Sequence, residues 1–78
     1  MSPTVFQYRN FRFFFFSREE QRMHVHVYTP DGEAKFWLVP EVELAINSGL
    51  KPNELKTAHT QILRHEDEIK AAWKKHFS

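Results

Sequence analysis

His24 and His26 stand two residues apart in this chain. Imidazole is the side chain that exchanges a proton near neutral pH without help from its surroundings, and a pair can divide the work of general base and general acid. The sequence also holds the groups such a pair needs for phosphate chemistry. Lys35 and Arg12 can stabilise charge developing on phosphate oxygens, Phe14, Tyr28 and Trp37 can stack on bases, and Arg22 adds a cation two residues before His24. With His24, His26 and Lys35 as the reacting set, the combination fits metal-independent RNA cleavage. One imidazole would take the 2′-hydroxyl proton and the other would protonate the leaving oxygen. The same residues fit better a surface that binds a partner, with Arg12, Phe14, Arg22, Tyr28 and Trp37 as its contacts and no chemistry at all, or a plain solvated face. Both rings of a His-x-His strand can reach one metal ion, but a third ligand is missing. Glu33 lies only diagonal to His26, and Lys35 and Arg12 crowd the position with positive charge. No metal and no cofactor is expected.

These residues meet only if strands place them on one face. Thr4 to Tyr8 is a β-prone run, Arg9-Asn10 a tight turn, and Phe11 to Phe16 a second, almost wholly aromatic strand. Ser17 to Gln21 reads as a loop. Arg22 to Tyr28 sets Met23, Val25 and Val27 against His24, His26 and Tyr28, the period-two pattern of a half-buried strand. Thr29-Pro30-Asp31-Gly32 is a turn, in which Pro pre-sets φ and Asp-Gly supplies the unusual backbone angles. Glu33 to Val39 then alternates again. The turn pairs Tyr28 with Glu33, His26 with Lys35 and His24 with Trp37. A loop over Ser17–Gln21 pairs Phe16 with Arg22, Phe14 with His24 and Arg12 with His26. On this register the two histidines, Lys35 and Trp37 occupy an exposed outer face, while Phe13, Phe15, Met23, Val25, Val27, Ala34, Phe36 and Leu38 form the core face. A one-residue slip would bury the cations, so the pattern resists it.

The second half reads as helical. Pro40 suits a helix start and Gly49 a stop, bracketing a short helix through Val42, Leu44, Ala45 and Ile46. Pro52 and Glu54 open a long helix whose apolar face runs Leu55, Ile62, Ile69 and His76, with Ala58, Ala72 and Trp73 beside it. His59, His65 and His76 lie on this helix, and Trp73 and Phe77 lock its end onto the sheet. The expected fold is therefore α+β: a three- to four-stranded antiparallel β-meander (1–39) covered on one face by a short and a long C-terminal helix (40–78).

Seventy-eight residues with eight Phe, two Trp and no Cys describe one domain, 1–78, whose thin core relies on aromatic bulk. Dimerisation or a partner protein would compensate further. No disulfide or cysteine-based zinc site can form. A formal net charge of +1 gives no global field for nucleic acid. The start of the sequence has no secretory pattern and the longest apolar run, Phe13 to Phe16, is far below a bilayer span, so a cytoplasmic protein without membrane contact is expected.

Several segments together resemble a bacterial family catalogued as domain of unknown function 4160. They are Pro3-Thr4-Val5, Phe11-Arg12-Phe13-Phe14-Phe15-Phe16-Ser17, His24-Val25-His26-Val27 and Gly32-Glu33-Ala34-Lys35-Phe36-Trp37-Leu38. Pro40, Val42-Glu43-Leu44-Ala45, Asn47, Gly49, Glu54-Leu55 and Ala72-Trp73 extend the resemblance over essentially the whole chain. Two segments depart from it. Arg22-Met23 stands where the family has prolines before the first histidine. Lys51 replaces the serine before the long helix, removing the ordinary N-cap side chain. The resemblance implies a small intracellular protein encoded beside a second short gene, a neighbourhood like that of a toxin–antitoxin pair.

The resulting functional expectation is an interaction module of a two-gene, toxin–antitoxin-like system that binds a cognate protein or RNA through the outer sheet face. A ribonuclease using His24, His26 and Lys35, and a nucleic-acid-binding adaptor without catalysis, are the alternatives.

Overall fold

A computed structural model describes residues 4–16 and 22–77. Among them the chain forms strands β1 (Thr4–Tyr8), β2 (Phe11–Phe14), β3 (His24–Thr29), β4 (Gly32–Trp37) and β5 (Glu43–Ser48), then helices α1 (Pro52–Arg64) and α2 (Glu66–His76). The strands make one antiparallel sheet in sequence order, and the fold is of the α+β class. The expected Ser17–Gln21 loop lies outside the described residues.

The β3–β4 hairpin follows the alternation in the sequence. Tyr28 pairs with Glu33, His26 with Lys35 and His24 with Trp37. Only Pro30 and Asp31 turn between the strands, and the Asp31 backbone N–H donates to the Thr29 hydroxyl at 3.1 Å. The inner face carries Phe13, Val25, Val27, Ala34 and Phe36, all 3% exposed or less. Ala58, Ile62, Ile69 and Trp73 of the helices join them in one core cluster, with Phe15 and Leu38 just beyond the strand ends.

Three expectations fail. The segment expected as a short helix, Val42 to Ile46, is strand β5, which raises the strand number to five. A helix that short cannot recover its nucleation cost, whereas β4 offers a row of backbone partners. Lys35 pairs with Ile46 but Phe36 pairs with Leu44, so Ala45 is an extra residue on β5. This bulge breaks the alternation that would have marked the strand. Gly49 ends β5, not a helix: at φ 107° its α-carbon faces the Asp31 carbonyl so closely that a Cβ would lie 2.6 Å from that oxygen. The Asn47 side chain then closes the connection, accepting from the Leu50 N–H and donating to the Leu50 carbonyl, both at 3.0 Å.

The long helix is also divided. At His65 (φ −115°, ψ 20°) α1 ends and α2 begins. The His65 N–H is shared between the Gln61 and Ile62 carbonyls, its ring packs on Phe6 at 4.5 Å, and Glu66, Asp67 and Glu68 fill the first turn of α2, where carboxylates favour a helix start. At the head of α1, Pro52 is the first helical residue. Lys51 has no acceptor to cap it, and the Glu54 carboxylate instead accepts the Lys51 N–H at 2.8 Å, half of a capping box.

The third correction is the register of the β2–β3 pair. Phe14 faces His26 and Arg12 faces Tyr28, two residues away from the pairing expected. A two-residue shift preserves the faces, because side chains alternate with period two. Phe15 leaves the ladder and is buried edge-on against Trp73 at 5.4 Å. Pairing therefore stops at Phe14.

Candidate functional site

The outer face of the sheet brings the expected residues together, in rows that differ from those expected. One row runs Arg12, Tyr28, Glu33 and Ser48, the next Phe14, His26, Lys35 and Ile46, and the last joins His24 to Trp37 and Glu43. Arg12 does not sit opposite His26. Its guanidinium lies over the Phe14 ring, 5.0 Å from the centroid.

The second difference is burial. His24 is 0% exposed and His26 7% exposed, against the expectation of two solvent-facing imidazoles. Aromatic neighbours cover them. Phe16 stands edge-on to His26 at 4.2 Å and Phe14 stacks on it at 5.5 Å. Trp37 packs edge-on to His24 at 5.6 Å, and Trp73 reaches His24 from α2 at 5.0 Å. The two imidazoles meet edge to face with centroids 5.2 Å apart, so they pack on each other where a phosphate would have to lie between them. His24 Nδ1 is fixed by a 2.7 Å hydrogen bond to the Arg22 carbonyl.

Cations lie over this aromatic layer. Arg22 is 4.2 Å and Lys35 4.5 Å from the Trp37 ring centroid. Arg22 also donates through Nε to the Val39 carbonyl at 3.0 Å and pairs with Glu43 at 3.3 Å. Cation–π contacts of this kind contribute about 0.5–1 kcal/mol each at exposed sites. They hold Trp37 and spread positive charge over its surroundings.

What remains accessible is a mixed surface: Ile46 (58% exposed), Tyr28 (48%) and Phe16 (38%), with Arg12, Glu33, Lys35 and Trp37 half-buried between them. A depression of about 110 Å³ opens between His26, Glu33, Lys35, Ile46 and Ser48, below the several hundred Å³ of ordinary small-molecule sites. Among the described residues no group of three His, Asp or Glu side chains is placed to hold a metal ion. The residues that sequence reasoning missed are Ile46, Ser48 and Glu43, all on β5. The available signal was the pair Leu44 and Ile46 ahead of Asn47-Ser48-Gly49, a strand followed by a turn.

No helix among the described residues is long and apolar enough to cross a membrane. Comparisons with curated proteins and with solved structures each give no match. A family profile described as a domain of unknown function, DUF4160, matches residues 10–74, a span from the β1–β2 turn through the pairing strands and β5 to Trp73 and Lys74 in α2. With most of its length so matched, the chain belongs to the DUF4160 family.

Proposed function

We propose that this chain is an interaction module of a two-gene, toxin–antitoxin-like system, and that the outer sheet face docks the protein encoded by the neighbouring gene. The observation that carries this reading is the composition of the accessible face. Ile46 and Tyr28 stand roughly half exposed on a sheet surface opposite the helical core, above an aromatic layer and beside half-buried Arg12 and Lys35. An apolar and aromatic centre with Arg and a polar rim is the usual anatomy of a protein interface. At the border, β5 is an edge strand whose outer backbone groups can accept a further strand. The gene neighbourhood is what the family resemblance implies.

The burial of His24 and His26 weighs against the ribonuclease alternative, since a general acid or base must come within hydrogen-bond reach of its substrate.

Co-expression with the neighbouring gene, followed by size-exclusion chromatography with light scattering, tests the proposal. A stable complex that Tyr28→Glu abolishes, with the variant still folded, is the expected result. A monodisperse monomer that ignores the neighbour's product would overturn it, as would a complex indifferent to substitutions on this face.

A further inference from the structure

A second surface, on the helical side of the molecule, has a different chemistry. Tyr8, Lys56, Thr57, Thr60, Gln61 and Arg64 line a groove of about 300 Å³. Lys56, Thr60 and Arg64 follow one another at intervals of four along α1, which sets them on one side of the helix. No carboxylate lines the groove. Lys56 and Arg64 form no ion pair among the described residues, in a chain where Arg22, Lys51 and Lys70 all do. Gln61 is 6% exposed, yet its side-chain amide makes no hydrogen bond among the described residues. The amide atoms are not sealed from solvent, and they border the groove, where they are free to donate to a ligand. Beside the groove, Arg9 holds φ 55°, a backbone region that side chains other than glycine enter at a cost. Its guanidinium lies 5.0 Å over the Tyr8 ring.

We propose that this groove binds the phosphates of a single-stranded polynucleotide, with Lys56 and Arg64 as the charged contacts and Gln61 as a neutral donor between them. Eight residues separate the two cations, about 12 Å along the helix axis, a span that suits two phosphates of one strand better than a single phosphate. The site is independent of the outer sheet face, so failure of either assignment leaves the other standing.

Fluorescence anisotropy of a short fluorescein-labelled oligouridylate, titrated with the full chain at several salt concentrations, tests this. Lys56→Glu and Arg64→Glu, both at exposed positions, should each weaken binding several-fold and lower the salt slope by about one. Lys74→Glu makes the same change in net charge on α2, away from the groove, and should leave binding intact. Gln61→Leu preserves side-chain volume, so it should weaken binding without lowering the melting temperature. Absence of binding would overturn the proposal. So would a loss with Lys74→Glu equal to that with Lys56→Glu, which would show a general charge effect. Displacement of the strand by uridine monophosphate at comparable concentration would overturn the two-phosphate arrangement.

Discussion

Val25 and His24 are neighbours on β3, point to opposite faces of the sheet, and are equally buried at 0% exposure. They reach that state differently. Val25 lies in a core shared by the inner sheet face and both helices. His24 is enclosed mainly by rings at the sheet's own outer surface, His26 and Trp37, with Trp73 closing one end. A two-layer protein ordinarily buries one face of its sheet. This one adds a partial aromatic layer on the other, which supplements the limited core of a small domain.

The inner face should lose the most stability on truncation. Phe36 is 2% exposed and packs in the main core, so Phe36→Ala should cost about 3–5 kcal/mol. In a domain whose total stability is on the order of 5 kcal/mol, urea denaturation should find the variant largely unfolded. A near-neutral result would mean that the two faces have been exchanged.

A smaller loss is expected at His24. If the outer layer contributes to folding, His24→Ala should destabilise by about 1–3 kcal/mol, because it removes three ring contacts and the hydrogen bond to the Arg22 carbonyl. Were the imidazole a surface group kept for chemistry, the same variant would melt like the wild type. Thermal unfolding followed by circular dichroism separates the two.

Much of this arrangement is legible in the sequence, and the gaps have physical causes. The β3–β4 hairpin can be read pair by pair, because strict alternation meets a turn with its own chemistry at Pro30-Asp31-Gly32. β5 hides its period behind the bulge at Ala45. The division of the long helix is signalled only by Arg64-His65 giving way to Glu66-Asp67-Glu68, a basic end followed by an acidic start, while the apolar stripe runs on through Ile62 and Ile69. At the site, parity alone places each residue on its correct face. Exposure depends on lateral neighbours: Phe16 covers His26 after the chain has left β2, and no periodicity encodes that.

Arg22 lies at the rim of the aromatic layer. Its side chain and that of Glu43 are 40% and 57% exposed, so their ion pair contributes about 0–1 kcal/mol. The guanidinium also covers Trp37 and donates to the Val39 carbonyl. Arg22→Ala should therefore cost about 1 kcal/mol in urea unfolding, with contributions from both the ion pair and the ring contact. Glu43→Ala should cost less, since it leaves the ring contact and the carbonyl bond in place.

The smallest effect on folding is expected at Ile46. It is 58% exposed on the edge strand, so little burial is lost when it is replaced. Ile46→Glu would set a carboxylate directly across from Lys35, where opposite charges attract by about 0.2–1 kcal/mol. That attraction offsets the lower strand propensity of Glu, and the net change in stability should stay within about 0.5 kcal/mol. An apolar docking surface would respond differently. A charge at its centre must be desolvated when the partner binds, so the complex with the neighbouring protein should weaken at least tenfold in a pull-down titration while the melting curve barely moves. Undiminished binding with an unchanged melting curve would remove Ile46 from the interface and shift the docking surface toward Tyr28 and Phe16.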